Sequence, residues 1–84
     1  MSYKVEILRK AVQQLEILPA KDYRAVKSKI LALGKNPLPH DCKKLKGRDG
    51  FRIRQGNYRI IYDIREEILT VRVIRIGHRK DVYR

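Results

Sequence analysis

The sequence predicts an α+β domain in which a small antiparallel sheet of about four strands carries a helical hairpin on one face, in the chain order β-α-α-β-β-β. Two patterns carry that prediction. Between Arg9 and Leu33 apolar residues recur at helical spacing, interrupted at Pro19; between Phe51 and Ile64 they alternate with polar ones around Gln55-Gly56-Asn57. The third observation is connection length, because strands joined by turns this short pair antiparallel.

The elements follow in order. Tyr3, Val5 and Ile7 alternate with Lys4, Glu6 and Leu8, the mark of a short opening strand over residues 3–8. From Arg9 to Leu18 the residues Ala11, Val12, Leu15 and Leu18 form one helical stripe. A second helix is predicted from Lys21 to Leu33, with Tyr23, Val26, Ile30 and Leu33 buried and Gly34 as its stop. Asn36-Pro37-Leu38-Pro39 cannot continue a helix, so the chain crosses over there, and Gly47-Arg48-Asp49-Gly50 is a turn cluster. Strands are expected at about 51–54, 58–64 and 68–76, the last two joined at Arg65-Glu66-Glu67.

Because side chains alternate along a strand, Phe51, Ile53, Tyr58, Ile60, Tyr62 and Ile64 can all face the helices, which leaves Arg52, Arg54 and Arg59 together on the open face with Ile61 and Asp63. The last strand breaks the pattern: Leu69, Val71 and Val73 share one parity, Ile74 and Ile76 the other. Either that strand is central and buried on both faces, or a bulge near Val73 shifts its register.

Eighty-four residues allow one small domain, residues 1–84, of modest stability. No apolar run approaches the roughly 20 residues that span a bilayer, and MSYKVEILRK lacks the apolar core of a signal peptide. A cytoplasmic protein without a membrane partner is expected. The single cysteine, Cys42, cannot form an internal disulfide, and with only His40 and His78 beside it no zinc site is expected, nor any cofactor. The net charge is +12, from 21 basic and 9 acidic residues. It is uneven: residues 1–42 hold 8 basic and 4 acidic residues, residues 43–84 hold 13 and 5, and nine of those 13 are arginine. A solvated surface would explain charge alone; the preference for arginine, whose fork matches phosphate, points to nucleic acid.

Like charges opposed across a hairpin cost stability, so Arg52, Arg54 and Arg59 imply an anion that neutralises them, a phosphate or an acidic partner. Behind the last strand, Gly77 permits a sharp turn that would bring His78, Arg79 and Tyr83 out near these arginines. Together the six residues form a set that phosphodiester cleavage can use, with cations for a phosphate gaining charge and groups able to move protons. Nucleic-acid binding alone would explain the arginines but not His78.

The stretch LKGRDGFRIRQGNYRIIYDI, followed by VIRIGHRKDVY, closely resembles the RelE/ParE superfamily of toxins from prokaryotic toxin–antitoxin pairs, and specifically the RelE-type mRNA interferases. The resemblance implies a ribosome-dependent, metal-independent endoribonuclease that cuts mRNA in the decoding A site and is silenced by a RelB-like antitoxin, partly disordered when free. It implies that Arg52 and Arg54 take the place of paired basic residues on a strand, that Arg59 falls on the family's arginine in the next strand, and that Arg79 falls on the arginine after the final strand; Arg59 and Arg79 are the residues expected to bind the non-bridging phosphate oxygens. Tyr83 falls on a terminal tyrosine that stacks on a base or protonates the leaving group, and His78 on a position that varies among relatives. Some relatives carry lysines in place of Arg52 and Arg54, and one of those lysines has been considered a general base; arginine, whose guanidinium does not give up its proton in proteins, is unsuited to that role. His78 is then the favoured proton carrier. Lys43, Lys44, Lys46 and Arg48 are expected either to grip ribosomal or messenger RNA or to serve solubility alone. Direct DNA binding is expected of the antitoxin rather than of this chain. Two other readings keep the fold: a ParE-type inhibitor of DNA gyrase, and a non-catalytic RNA-binding or regulatory module.

Overall fold

The computed structural model describes residues 2–78. Its elements are β1 (Lys4–Ile7), α1 (Arg9–Glu16), α2 (Ala20–Ala32), β2 (Lys43–Lys44), β3 (Phe51–Gln55), β4 (Tyr58–Arg65) and β5 (Thr70–His78). The α+β class holds, with the two helices packed on one face of the sheet. The sheet has five strands in the order β1-β5-β4-β3-β2, one more than expected, and it is mixed. Adjacent strands from β2 to β5 pair antiparallel, whereas β1 lies parallel to β5, with Lys4 opposite Thr70 and Ile7 opposite Val73. Direction reverses at each hairpin, so the last strand returns beside the first running the same way. The added strand, β2, is two lysines placed opposite Phe51 and Arg52.

Burial follows the predicted stripes. Ala11 and Leu15 of α1 and Val26 and Ile30 of α2, with Leu33 just beyond it, pack on Ile53, Ile60, Tyr62, Val71, Val73 and Ile76. Tyr62 is fully buried beside Phe51, with ring centroids 5.7 Å apart, and its hydroxyl donates to the carbonyl of Pro37 at 2.8 Å. Burial, with the neighbouring Cys42 and Asp41, pushes the Tyr62 hydroxyl pKa far above its ordinary value. This bond pins the Pro37 crossover onto the sheet.

The last strand is central, as expected, but its odd parity comes from a bulge and not from burial on both faces, since Arg72 and Arg75 on the open face are only half-buried. It is flanked by β1 and β4, and its register shifts where Ile61 faces Arg75 while Tyr62 faces Val73, leaving Ile74 as the extra residue. That residue absorbs the odd step, so Val71, Val73 and Ile76 all reach the core. Beyond Val73 the strand outruns β1, and the backbone N–H of Ile76 donates instead to Oε1 of Gln14 on α1 at 2.8 Å. The preceding turn is a 3-10 segment, Glu66–Ile68, closed by Leu69 in the left-handed region (φ 47°).

Two glycines act differently from a generic helix stop or turn. Gly34 does follow α2, but it is buried and needed for close approach: an added Cβ would stand 3.0 Å from the carbonyl oxygen of Tyr3 and 3.1 Å from Val5 Cγ2. Gly50 adopts φ +119°, where other residues are strained, and a Cβ there would lie 3.0 Å from the Tyr62 carbonyl oxygen. Its own carbonyl accepts the Leu45 N–H at 3.0 Å, closing the loop that carries Lys46 and Arg48.

Candidate functional site

Strand pairing fixes the open face row by row. Lys43, Arg52, Ile61 and Arg75 stand side by side on β2, β3, β4 and β5, and the next row towards the β3–β4 turn is Arg54, Arg59 and Gly77. The predicted trio Arg52, Arg54 and Arg59 is therefore together, with Arg54 directly opposite Arg59. Lys43, expected among residues outside the cluster, belongs to it. Ile61, only 3% exposed, forms a small apolar island with Leu45 on this face, flanked in register by the half-buried Arg52 and Arg75. Arg52, Arg54, Lys43 and Asp41 line a shallow pocket of about 300 Å³ at the β2–β3 edge.

One row in the other direction the charge balance changes. Asp63 accepts from Arg72 Nε at 3.0 Å and from a terminal guanidinium nitrogen at 2.7 Å. The Arg72 hydrogen bonds hold the Asp63 carboxyl below the usual carboxylate range and raise the Arg72 pKa in turn. Asp41, at the margin of the cationic half, is engaged by Lys29 Nζ of α2 at 2.8 Å, which likewise lowers its pKa. The open face is thus divided into a paired half around Asp63–Arg72 and an arginine-rich half at the turn end.

His78 is on β5 itself, because the strand runs on through Gly77 instead of turning there. It faces Tyr58 in register and so shares the helix-side parity, its ring edge-on to that of Tyr58 with centroids 6.1 Å apart. The Tyr58 hydroxyl donates to Asp22 Oδ2 of α2 at 3.0 Å, a bond that raises the tyrosine pKa. His78 therefore stands at the rim of the sheet, one register position beyond Arg59 and Gly77 but on the opposite face. Arg79 and Tyr83 lie outside the described residues. Lys44 takes the parity opposite to Lys43, and Lys46 and Arg48 are exposed on the turn before β3. Arg75 was absent from the predicted set; the parity break in the last strand was its signal, since only the bulge turns this residue to the arginine face. Among the described residues no group of three or more His, Cys, Asp or Glu side chains is placed to hold a metal ion, and no helix is long and apolar enough to cross a membrane.

A five-stranded mixed sheet with two helices on one face is the architecture of a family of small toxins. A family model described as the ParE toxin of the type II toxin–antitoxin system parDE matches residues 5–83, and the chain belongs to this RelE/ParE superfamily. It is 34% identical over 86 residues to toxin RelG of Mycobacterium tuberculosis, covering all of this chain and 99% of that one. It is 31% identical over 88 residues to RelE1 of Methanocaldococcus jannaschii, covering all of this chain and 98% of that one. Among solved structures, a chain of the archaeal RelE–RelB complex from Pyrococcus horikoshii OT3 superposes with a TM-score of 0.84 at 30% identity, covering 98% of this chain and 100% of the other.

Proposed function

We propose that this toxin is a ribosome-dependent endoribonuclease that cleaves mRNA in the A site and so arrests translation. The observation that carries the reading is the grouping of Arg52, Arg54 and Arg59 on one open face, in the half whose marginal carboxylate, Asp41, is engaged by Lys29. Such a cluster suits a phosphate whose charge grows during reaction. RNA brings its own nucleophile, so no metal is required to generate one. The 2′-oxygen attacks the adjacent phosphorus as its proton passes to a base, the P–O5′ bond breaks, and the 5′-oxygen is protonated, leaving a 2′,3′-cyclic phosphate and a 5′-hydroxyl. In this scheme Arg59 and Arg79 bind the non-bridging oxygens, assisted by Arg52 and Arg54. His78, on the helix-side face at the rim of the sheet, is the proton carrier of this scheme, an imidazole able to accept and to donate a proton to a substrate strand that passes over that rim. Tyr83 stacks on a base or protonates the leaving oxygen. The shallow face calls for an external template, and the ribosome supplies that orientation while Lys43, Lys44, Lys46 and Arg48 grip its RNA.

The same face suits the inhibitor. A RelB-like antitoxin with an acidic segment would mask the arginines and, wrapping round the sheet to the helix side, cover apolar side chains left exposed there, such as Leu31 of α2. The P. horikoshii relative was solved as a RelE–RelB complex, which supports this partner.

The test is to add the purified toxin to a translating ribosome mixture and map mRNA 5′ ends, with Arg59→Ala, Arg79→Ala and ribosome-free controls. New A-site cuts are expected only with ribosomes, weakened about 100-fold or more in folded Arg59→Ala. Intact mRNA would overturn the reading. The ParE description of the matching family model gives a second reading, gyrase inhibition, which a supercoiling assay would detect in its place.

A further inference from the structure

Arg72 and Arg75 lie three residues apart on the same strand, both turned to the open face, yet they meet opposite fates. Arg72 faces Asp63 in register and is held by both of its carboxylate oxygens. Arg75 faces Ile61, and among the described residues it has no ion-pair or hydrogen-bonding partner for its side chain. The nearest carboxylate along the neighbouring strand is that of Asp63, already engaged by Arg72. A half-buried arginine without a carboxylate partner is a cation that an external anion would engage.

The bulge is what produces this placement. Were Ile74 paired like its neighbours, the alternation that buries Val71 and Val73 would send Arg75 into the core and Ile76 out. With Ile74 bulged, Ile76 is buried and Arg75 joins Arg52 and Lys43 in one row across the sheet. Between Arg52 and Arg75 lies the apolar Ile61, against which long stems can lie while the guanidiniums stay at the surface. Neighbouring strands are about 4.8 Å apart, so Arg52 and Arg75 start roughly 10 Å apart. That span lets them engage separate phosphates of one strand. In the next row Gly77 stands opposite Arg59 and carries no side chain.

We infer that Arg75 binds a backbone phosphate of single-stranded RNA, adjacent to the phosphate held by Arg59, so that the arginine face takes a run of phosphates. The choice of RNA rests on the nuclease reading above. An acidic peptide is the rival ligand, and the test separates the two.

The probe is a fluorescein-labelled ten-nucleotide RNA, 2′-O-methylated so that it cannot be cut, titrated with full-length toxin by anisotropy from 50 to 300 mM NaCl. Arg75→Gln is expected to weaken binding about tenfold at 50 mM salt and to flatten the slope of log affinity against log salt by about 0.7, the loss of one phosphate contact. Arg75→Lys should keep the slope while losing part of the affinity, since it retains the charge without the fork. Lys10→Gln, on the exposed side of α1, should leave both unchanged. Wild-type affinity and slope in a folded Arg75→Gln protein overturn the inference, as does a loss confined to binding of a ten-residue polyglutamate peptide. Should Arg75→Gln fail to fold, a full wild-type affinity in Arg75→Lys would count against a forked phosphate contact. The two readings fail separately: an Arg75-dependent slope without mRNA cleavage on ribosomes removes the nuclease, whereas cleavage indifferent to Arg75→Gln removes this site.

Discussion

Arg54 and Arg59 are directly opposite each other on adjacent strands, an arrangement that costs a folded hairpin stability. Removing one charge should therefore help the free protein: Arg54→Gln is expected to gain about 0.2–1 kcal/mol in urea unfolding. Unchanged or lower stability would mean that the pair is not repulsive in the free fold. Asp63 gives the opposite case. Its carboxyl is held below the ordinary value of about 3.9 by Arg72, so its contribution is fully present above that value and is lost as pH falls through the folded-state pKa. Asp63→Asn should accordingly be less stable than wild type at pH 7 and should lose less of its melting temperature on acidification to pH 3. Parallel melting curves from pH 7 to 3 for the two proteins would contradict this account.

At the scale of elements, what could be read from the sequence was whatever local periodicity encodes. The helices and the long hairpin announce themselves, and the alternation from Phe51 to Ile64 already placed Arg52, Arg54 and Arg59 on one face. The two-lysine strand β2 did not, because Lys43-Lys44 has no apolar alternation and exists by pairing with β3. Nor did the parallel partnership of β1 and β5, which joins segments more than sixty residues apart. The face taken by His78 and Arg75 depends on counting parity through the bulge, a tertiary fact signalled only by the clash between Val73 and Ile74. This makes a deletion informative. Removing Ile74 takes out the unpaired residue and leaves Val73, Arg75 and Ile76 in simple alternation, so the sheet and the facing of Arg75 should survive with a small drop in melting temperature. Removing Ile60, a core residue of the paired strand β4, should instead abolish cooperative unfolding. Comparable damage from both deletions would show that the bulge is required for the fold.

At the scale of the whole molecule, a net charge of +12 on 84 residues means that the free toxin repels itself, most strongly where Arg52, Arg54, Arg59 and Arg75 gather on the open face. Two consequences differ in their dependence on salt. Screening alone should raise the melting temperature gradually between 20 and 500 mM NaCl, as the Debye length falls below the spacing of the surface charges. A bound polyanion should do far more at low salt, because a ligand specific for the native state at 100 times its Kd adds about 2.7 kcal/mol. For a domain of this size that is a rise on the order of 10–20 °C. A non-cleavable single-stranded RNA or an acidic antitoxin segment should produce this rise, and 500 mM NaCl should abolish it for RNA, whose binding is driven by counterion release. An antitoxin that also buries apolar surface should keep much of its effect in salt, because hydrophobic burial is not screened. Equal loss for both ligands would mean that charge alone holds the antitoxin. A melting temperature insensitive to salt and to either ligand would show that the arginine face is not a source of repulsion in the free protein.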